Sequence, residues 1–443
     1  MNIPDHVKKI LRRLSDAGYE ACLVGGCVRD MLSGEPPHDW DIASSSTPEE
    51  TRQVFSDSRV LDVGLSHGTV AVLCGREAVE ITTFRTEGTY SDHRRPDSVA
   101  FVRDLRTDLS RRDFTVNAMA MSADGHITDP FGGVDDLKAG VIRCVGNPEE
   151  RFGEDALRIL RAIRFVSKTG FSAEEKTARA MLSCSPLLQN ISSERIFSEL
   201  CGILTGRNAG HALEKHASVL AVVLPEIKPS FGFEQHSRYH RYDVWTHTVH
   251  AVQAVPASVD LRAAMLFHDL GKPFCFSIGS DGHGHFCGHA GTSRAIAEKA
   301  LTRLRCPNAL RDRILTLVAH HDDRLPRSEA EMRRRAARLG ADTLRALFAM
   351  QRADAAAQAE WVVQNRLSDI DTAERMLGGI LSTEECLSLS SLAVNGRDIM
   401  ALGVPQGPQI GRVLDLLMRR VLDDPSENER EKLLRAASEL LSR

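Results

Sequence analysis

The stretch Leu23-Val-Gly-Gly-Cys-Val-Arg-Asp30, followed by His38-Asp-Trp-Asp-Ile42, decides how the first part of this 443-residue chain is interpreted. On a β-strand, residues two positions apart point to the same side, so a strand through Asp39 and Asp41 would project both carboxylates together. Two convergent carboxylates form the hard oxygen site that Mg²⁺ prefers alongside substrate phosphates. Such a site suits transfer of a nucleotide from a triphosphate to a hydroxyl.

The glycine pair upstream of these carboxylates suits a phosphate group. Gly25 and Gly26 let main-chain N–H groups approach an anion closely, and residues 27–32 are predicted to begin a helix whose N-terminus favours phosphate. Taken singly, the Asp-x-Asp pair can be a solvated loop and the Gly-Gly pair a plain turn. Their combination favours a nucleotidyl-transfer site.

Two later segments carry groups that suit a nucleotide. Arg111-Arg-Asp-Phe-Thr-Val-Asn-Ala118 holds two guanidiniums, a carboxylate and an amide, a set that can clamp a triphosphate and bond to ribose hydroxyls. Residues 154–165 are predicted to be helical, with Asp155 and Arg158 on one face. The alternatives are a solvated helix start for the first segment and, for the second, a surface ion pair worth about 0.2 to 0.5 kcal/mol.

The pair Asp155 and Arg158 also predicts a preference between bases. Cytosine and adenine each present an exocyclic amine beside an unprotonated ring nitrogen, whereas uracil and guanine present the reverse order. A carboxylate can accept from the amine while a guanidinium donates to the ring nitrogen. A fixed pair would therefore admit CTP and ATP and reject UTP and GTP, because the wrong bases leave polar groups unpaired.

Together these segments resemble the five ordered motifs of the bacterial-type (class II) tRNA nucleotidyltransferase and poly(A) polymerase family. The resemblance lies in residues 23–42, 111–118, 129–137 and 154–165 and in Glu194-Arg195. It implies a polymerase-beta-like α/β nucleotidyltransferase head followed by an all-α neck, body and tail. It also implies a Mg²⁺-dependent enzyme that adds CMP and AMP, from CTP and ATP, to the 3′ end of tRNA and releases pyrophosphate.

The resemblance assigns expected roles to matching positions. Asp39 and Asp41 are expected to be catalytic and to bind Mg²⁺, and Glu80, which alternates with β-forming residues, to add a third carboxylate. Asp155 and Arg158 are expected to select the base. The expected nucleotide-binding residues are Gly25, Gly26, Arg29, Arg111, Arg112, Asp113, Asn117, Asp155, Arg158, Arg161 and Arg164.

Residues 85–96 form a polar stretch that we predict to be too irregular for a strand. It resembles the flexible loop of family members that add the terminal A, and so argues against a CC-only enzyme. Full CCA addition and A-only addition both remain open. Poly(A) tailing, a metal-dependent phosphohydrolase with a degenerate head, and a pure RNA-binding protein are further alternatives.

Composition and length bound the class of protein. A chain of 443 residues predicts two to four domains, and a formal charge of −4 means that RNA would be met by local basic patches. Ten cysteines without a Cys-x-x-Cys pattern favour neither a zinc ribbon nor a disulfide scaffold. No apolar run approaches membrane-spanning length. We therefore expect a soluble, cytoplasmic protein without membrane contact, whose oligomeric state stays open.

The spacing of apolar residues changes along the chain. Strand-like runs at 60–63, 69–73 and 99–102 alternate with short helices, and from about residue 149 the spacing becomes helical. We predict a nucleotidyltransferase head over 1–140, a helical neck and body over 141–232, a metal-dependent domain over 233–330 and a helical tail over 331–443.

The predicted third domain carries a second set of chemical groups. His247, the pair His268-Asp269, and Asp322 stand in an order that resembles the HD-superfamily phosphohydrolases. Imidazole and carboxylate ligands from separate helices can converge on one or two divalent transition metals, here Ni, Mn, Co or Fe, and His289 is a further expected ligand. His285, His320 and His321 are additional donors for a dinuclear site. The resemblance implies phosphatase or phosphodiesterase activity on 2′,3′-cyclic phosphate ends; a purely structural helical domain is the alternative.

The predicted tail contains the basic run Arg333-Arg-Arg335, with Arg338 and Arg345 beyond it. Such a run can lie along a tRNA phosphate backbone. The alternative is a solvated helix face, since Glu329 and Glu331 supply partners four positions away.

Overall fold

The computed structural model describes residues 3–75, 77–88, 98–237, 239–280, 282–383 and 386–442. The chain divides into two compact units. Unit 1 comprises residues 1–226 with 303–306, and unit 2 comprises residues 227–302 with 307–443. The finer division into four domains stays a prediction.

Unit 1 begins with an α/β region and ends in helices. Its helices and strands are α1 Asp5–Asp16, β1 Ala21–Val24, α2 Gly26–Leu32, β2 Asp41–Ser44, α3 Pro48–Val54, β3 Val60–Gly64, β4 Thr69–Cys74, β5 Glu77–Thr83, β6 Arg85–Glu87, β7 Val99–Phe101, α4 Leu105–Ser110, β8 Ala120–Met121, β9 Ile127–Thr128, α5 Gly133–Ala139, β10 Val141–Ile142, α6 Pro148–Glu154, α7 Leu157–Thr169, β11 Ser172–Ala173, α8 Glu175–Ser183, α9 Ser193–Leu204, α10 Ala209–Lys215 and α11 Ala217–Val223. Short 3₁₀ helices span Leu65–His67, Thr115–Asn117 and Ser185–Asn190.

The rest of the chain is almost entirely helical. Its helices and strands are α12 Val244–Ala254, α13 Val259–Phe267, β12 Ser277–Ile278, β13 Gly284–His285, α14 His289–Arg303, α15 Asn308–His320, α16 Glu329–Leu339, α17 Ala341–Ala356, α18 Glu360–Ser382, α19 Gly396–Ala401, α20 Pro408–Asp423 and α21 Arg430–Leu441. Further 3₁₀ helices span Pro225–Ser230, Lys272–Phe274, Leu389–Ser391 and Pro425–Glu427.

A seven-stranded sheet with the order β3-β4-β5-β2-β1-β8-β9 forms the centre of the α/β region. Strands β2 and β5 run parallel, and the other neighbours within this sheet are antiparallel. The parallel register pairs Asp41 with Glu80. Paired residues face the same side of a sheet, so Glu80 stands beside Asp41.

Apolar residues cover both faces of this sheet. Ile42 and Ile81 point to one face, where they join the apolar stripe of α1 in a single hydrophobic cluster. That stripe has helical spacing and buries four side chains, each worth about 1.5 to 3 kcal/mol: Val7, Ile10, Leu11 and Leu14. On the opposite face, Ala43 packs near Phe84 and Leu109 in a second cluster. Asp41 shares that second face, at the end of β2.

Three local expectations from the sequence differ from the structure: the strand through Asp39 and Asp41, the irregular stretch over 85–96 and the continuous helix over 154–165. Asp39 is exposed and lies in a bend before β2, which begins only at Asp41, so the two carboxylates do not share a strand. Residues 85–87 form strand β6, paired with β7, so the prediction of an irregular stretch is wrong there. The rest of that predicted loop, residues 89–96, lies outside the described residues.

The helix predicted over 154–165 is interrupted. Helix α6 ends at Glu154, and Asp155 has extended backbone angles, with φ −135° and ψ 102°. The amide of Leu157, the first residue of α7, donates to Oδ1 of Asp155 at 3.0 Å. Asp155 therefore lies outside the helix, and its carboxylate accepts from a main-chain amide at the start of α7.

In unit 2, four helices bring distant chemical groups together. Helix α12 packs against α13 and α17, and α13 packs against α15. A separate hydrophobic cluster joins α19, α20 and α21 near the end of the chain. Within the described ranges, no helix combines the length and apolar character needed to cross a bilayer.

Candidate active sites

A cavity of about 830 Å³ in unit 1 is lined by nine basic side chains and three carboxylates. This excess of positive charge suits a polyanion such as a triphosphate. The cavity brings together most of the predicted site residues, namely Gly25, Gly26, Arg29, Asp41, Arg111, Arg112, Asp113, Asn117, Asp155, Arg158, Arg161 and Arg164.

The glycine pair fits this cavity for a steric reason. Gly25 has φ 73°, a left-handed conformation that side chains rarely adopt. A Cβ atom at this position would lie 3.1 Å from Nη1 of Arg112. Glycine therefore permits both the turn and the close approach of the Arg112 guanidinium.

Of the predicted catalytic carboxylates, Asp41 and Glu80 are paired in the register of the parallel strands β2 and β5, and Asp39 lies two residues before Asp41. Asp41 lines the cavity, whereas Asp39 and Glu80 do not reach its wall. Loss of water around Asp41 raises its pKa; Arg112 opposes the rise and Asp39 adds to it. Asp39 thus lies close enough to repel the charge of Asp41. Oxygen donors at these three positions fit the preference of Mg²⁺ for carboxylates.

One buried carboxylate holds two cavity arginines. Asp108 is 1% exposed and was not among the predicted site residues. Its Oδ1 accepts from Nε and Nη2 of Arg111 at 3.0 and 2.7 Å, and its Oδ2 accepts from Nη2 of Arg112 at 3.2 Å. The main-chain amide of Arg85 also donates to Oδ1 at 3.2 Å. A carboxylate three and four positions before two arginines is the sequence signal that was available.

A hydrogen-bonded chain fixes the next part of the cavity wall. Oδ2 of Asp113 accepts from Nε and Nη2 of Arg161 at 2.9 and 2.7 Å, and Oδ1 accepts from Nδ2 of Asn117 at 3.1 Å. Nη1 of Arg29 donates to Oδ1 of Asn117 at 2.6 Å. Burial disfavours the charged form of Asp113, but Arg161 and Asn117 hold the pKa of this carboxyl below its usual value.

The two residues predicted to select the base both line the cavity and are both held by neighbours. Oδ2 of Asp155 accepts from Nη2 of Arg195 at 2.8 Å. Nη1 of Arg158 donates to Glu154 at 2.5 Å, and its Nη2 donates to the carbonyl of Arg111 at 3.2 Å. These contacts fix a carboxylate and a guanidinium at the same wall.

The cavity wall includes basic residues for which no individual role was predicted: Arg85, Lys168 and Arg195. Arg195 was visible in the sequence only as part of the Glu194-Arg195 motif. Behind the wall, Arg164 forms an ion pair with Glu199, with Nε and Oε2 3.1 Å apart. Burial raises the pKa of Glu199, and Arg164 opposes that rise.

Unit 2 has its own cavity, of about 660 Å³, whose polar wall is rich in histidine. Two of its lining residues, Asp269 and Asp354, form a group with the buried His247 and His268, and the ligand atoms of all four lie within 4.8 Å of one another. Nε2 of His247 is 2.9 Å from Oδ1 of Asp354 and 3.6 Å from Oδ2 of Asp269. Nε2 of His268 is 3.2 Å from the same Asp269 oxygen. This mixture of nitrogen and oxygen donors fits a divalent transition metal.

The structure brings Asp354 into this group, and Asp322, the predicted ligand, is not a member of it. Asp322 lines the cavity, but Asp354 of α17 supplies the carboxylate, because α17 packs against α12 and carries Asp354 to His247. Asp322 follows α15 in a turn instead. The order of residues in the sequence does not reveal which later aspartate contacts His247. The available signal was a single carboxylate among small residues, Ala353-Asp-Ala355.

Main-chain carbonyls orient the imidazoles of this group. Nδ1 of His268 lies 2.7 Å from the carbonyl of Met265, and Nδ1 of His247 lies 3.3 Å from that of Ala357. A carbonyl only accepts, so both Nδ1 atoms carry hydrogen and both Nε2 atoms face the carboxylates. Although burial disfavours imidazolium, Asp269 and Asp354 raise the pKa of His268 to about 10. The two carboxylates therefore favour positive charge at this position.

The basic run of the predicted tail is paired with acidic residues. Arg333 contacts Glu329 at 2.9 Å, and Arg334 contacts Asp423. The other ion pairs of the run are Arg335–Glu331, Arg338–Asp323 and Arg345–Asp342. These pairs support the interpretation as a helix face over that of a phosphate-binding surface.

Three family models match the chain. They are the "Poly A polymerase head domain" at residues 21–143, the "Probable RNA and SrmB- binding site of polymerase A" at residues 170–231, and tRNA nucleotidyltransferase domain 2 at residues 284–437. The first match covers the seven-stranded sheet and the part of the cavity lining that lies before residue 143. The third covers much of unit 2.

Curated relatives agree with these matches. A CCA-adding enzyme of Ligilactobacillus salivarius is 48% identical over 256 residues, which cover 55% of this chain and 63% of the relative. The chain spans about half the length of other such relatives, for example 51% of that from Enterococcus faecalis. The CCA-adding enzyme of Geobacillus stearothermophilus is 36% identical over 439 residues, covering 96% of this chain and 94% of the relative.

A solved structure has the same fold along the whole chain. The crystal structure of the Bacillus stearothermophilus CCA-adding enzyme in complex with CTP covers 100% of this chain and 98% of its own, with a TM-score of 0.76 and 30% identity. The predicted fold class, a polymerase-beta-like head followed by a mainly helical body, is thereby confirmed. Because the Geobacillus alignment runs through nearly all of both sequences, the chain belongs to the CCA-adding enzyme family of tRNA nucleotidyltransferases.

Proposed function

We propose that unit 1 adds CMP and AMP, from CTP and ATP, to the 3′ end of tRNA and releases pyrophosphate. The observation that carries this proposal is one cavity lined by Asp41, by a set of arginines and by the pair Asp155 and Arg158. A carboxylate for metal binding, cations for a triphosphate and a base-reading pair are the three requirements of selective nucleotidyl transfer.

The chemistry follows from these positions. Asp39 and Asp41, with Glu80 beside them, would hold Mg²⁺, which when bound activates the attacking hydroxyl and neutralises phosphate charge. The terminal RNA oxygen forms a bond to the α-phosphorus, and the bond from that phosphorus to the bridging oxygen of pyrophosphate breaks. Arg111 and Arg112 stabilise the charge on the departing pyrophosphate.

Base selection would depend on two side chains, Asp155 and Arg158, that neighbouring residues hold at the cavity wall. Each carboxylate oxygen has two lone pairs, so Asp155 can bond to Arg195 and Leu157 and still accept from an exocyclic amine. Arg158 is 9% exposed and lines the cavity, where its guanidinium would donate to the ring nitrogen. UTP and GTP would leave these buried groups unpaired.

Labelled nucleotides on three tRNA transcripts test this function. The transcripts end at the discriminator base, at C and at CC, and each receives CTP alone, ATP alone or both. We expect CMP additions followed by a single AMP. Incorporation of A only on the CC-ended transcript would replace this proposal with an A-adding enzyme, repeated A addition with a poly(A) polymerase, and no incorporation would refute nucleotidyl transfer.

A second function is proposed for unit 2, as a metal-dependent phosphohydrolase. His247, His268, Asp269 and Asp354 would hold a divalent transition metal such as Ni, Mn, Co or Fe. When bound, this ion supplies Lewis-acid activation for hydrolysis of a phosphate ester, and the HD resemblance favours 2′,3′-cyclic phosphate ends. Lys272, whose Nζ lies 2.6 Å from Oδ2 of Asp269, and Arg366 add positive charge to the cavity wall.

Hydrolysis of 2′,3′-cyclic AMP by the full chain, reloaded with each metal in turn, tests this second function. We expect turnover that is lost in His268→Ala and kept in Asp39→Ala. The absence of turnover with all four metals would leave a structural domain.

All ten cysteines are free thiols, which supports the reducing cytoplasm as the expected compartment.

A further inference from the structure

Two aromatic side chains meet beside the cavity of unit 2, although more than 100 residues separate them in the sequence. The rings of Tyr239 and Trp361 have centroids 5.3 Å apart and planes tilted by 37°. Tyr239 lines the cavity and is 41% exposed, and Trp361, in the first turn of α18, is 58% exposed. Contiguous apolar surface that stays exposed next to a cavity is typical of a binding site.

The main chain holds this aromatic pair in place. The amide of Ala359, the residue before the first residue of α18, donates to the carbonyl of Tyr239 at 3.0 Å. This bond joins the segment that carries Tyr239 to the start of the helix that carries Trp361. The two rings are therefore positioned before any ligand arrives, which lowers the entropy cost of binding.

The same stretch of chain is bonded to the carboxylates of the cavity. Nε2 of Gln358, three residues before Trp361, donates to Oδ2 of Asp354 at 2.9 Å, and Nη1 of Arg366 donates to the same oxygen at 3.2 Å. Gln358 and Arg366 both line the cavity, as Tyr239 does. The potential metal-ligand residues that line it with them are Asp269, His289, His321 and Asp354. A phosphate group at these residues would therefore share one cavity with an exposed aromatic ring.

A nucleotide combines the two kinds of group that this cavity suits. Its phosphate is attracted to basic and metal-binding residues, and its base has a flat face that stacks on aromatic side chains. We infer that Tyr239 and Trp361 form a base-stacking subsite, which binds the base of a nucleotide whose phosphate lies at the metal-ligand residues. This inference deepens the second proposed function and rests on it. Because every base has a flat face, the subsite would favour nucleotides over other phosphate esters without selecting one base.

Two cyclic phosphate esters test the inference on the full chain, reloaded with Mn²⁺, Ni²⁺, Co²⁺ or Fe²⁺ in turn. 2′,3′-cyclic AMP carries a base, whereas glycerol 1,2-cyclic phosphate has the same five-membered ester ring without one. We expect Trp361→Ala and Tyr239→Ala to lower the ratio of kcat/KM for these two substrates about tenfold, because the base loses its stacking partner. Trp361→Phe keeps an aromatic ring and should keep most of the preference.

Phe274→Ala is the matched control for removal of an exposed aromatic ring from unit 2. Phe274 is 61% exposed and lies outside the cavity lining. This variant should keep the wild-type ratio. An equal loss of preference in Phe274→Ala and Trp361→Ala would overturn the subsite.

Tryptophan fluorescence gives a second readout, which does not need turnover. The chain has three tryptophans, of which Trp361 is 58% exposed, Trp245 is 6% exposed and Trp40 is partly buried. We expect 3′-AMP to quench the emission of the wild type and inorganic phosphate not to do so. Trp361→Phe should lose this quenching, because the indole that contacts the base is gone. Quenching that persists in this variant would overturn the subsite.

The remaining outcomes separate this inference from the proposal beneath it. Hydrolysis of both esters with an unchanged ratio in Trp361→Ala would overturn the subsite and leave the phosphohydrolase. If that variant also changed its sedimentation, the rings would instead form a contact between copies of the chain. Turnover of neither ester by the wild type would overturn the phosphohydrolase, and the quenching experiment would then decide the subsite alone. The same experiment decides it if the alanine variants fail to fold.

Discussion

The cavities of units 1 and 2 contain many side chains that carry or accept protons, but these side chains are held by different partners. In unit 1, carboxylates hold the guanidiniums, as Asp108 holds Arg111 and Arg112. In unit 2, main-chain carbonyls hold the imidazoles, as Phe286 and Val318 hold His289 and His321. The first arrangement fixes cations that can bind phosphate. The second fixes lone pairs that can bind a metal.

This difference shows that the partner that holds a side chain determines which kind of ligand the side chain can bind. A guanidinium held by a carboxylate keeps further N–H groups for an anion. An imidazole whose Nδ1 donates to a carbonyl directs its Nε2 away from that carbonyl, and the neutral ring has its lone pair there. The two arrangements therefore favour different ligands, a polyphosphate in unit 1 and a metal ion in unit 2.

The largest effect is expected from Asp354, the carboxylate that completes the group with His247, His268 and Asp269. Asp354→Asn should lower transition-metal affinity more than about 100-fold, beyond the loss that follows removal of an outer contact, because a charged ligand atom is replaced. Asp322→Asn is the matched control and should leave affinity unchanged. Calorimetric titration of both variants measures this. A loss of affinity in Asp322→Asn with no loss in Asp354→Asn would instead support Asp322, the ligand predicted from the sequence.

An intermediate effect is expected from the base-reading pair. Arg158→Gln should reduce the preference for CTP and ATP over UTP and GTP by about 10- to 100-fold, because the ring nitrogen loses a charged donor. Arg151→Gln removes another partner of Glu154, 3.1 Å away, outside the cavity lining, and should keep the preference. Single-nucleotide incorporation with all four nucleotides measures the ratio. An unchanged ratio in Arg158→Gln would remove the base-reading role.

The smallest effect is expected from the residue that positions the arginines. Asp108→Asn should raise KM for the nucleotide roughly tenfold, equivalent to about 1.4 kcal/mol, because Arg111 and Arg112 lose a shared charged partner. Asp135→Asn, at a side chain 91% exposed, is the control for an Asp-to-Asn change in the same unit. Steady-state kinetics of both variants provide the test. A fall in kcat with KM unchanged would contradict a positioning role for Asp108.

Predictions from the sequence succeeded where local spacing determines geometry. The strands predicted at 60–63, 69–73 and 99–102 are observed as β3, β4 and β7. The glycine pair, Arg111 and Arg112 also reach one cavity with Asp41. These features depend on the alternation of apolar residues and on short motifs, both of which are visible in a single sequence.

The failures occurred where a contact between distant residues decides the outcome. Asp354 reaches His247 through packing of α17 against α12, more than 100 positions along the chain. Asp155 leaves the helix because its side chain accepts from Leu157 and also from Arg195, 40 positions away. Helical periodicity shows neither contact, since it reports only neighbours on one element.

The central claim is that this chain carries two chemically separate reaction centres, and one crossed measurement tests it most directly. Nucleotide incorporation into tRNA and hydrolysis of 2′,3′-cyclic AMP are measured on the same preparations of Asp41→Asn and His268→Gln. We predict that Asp41→Asn loses incorporation by at least about 100-fold and keeps hydrolysis, while His268→Gln does the reverse. Loss of both activities in either folded variant would contradict the account.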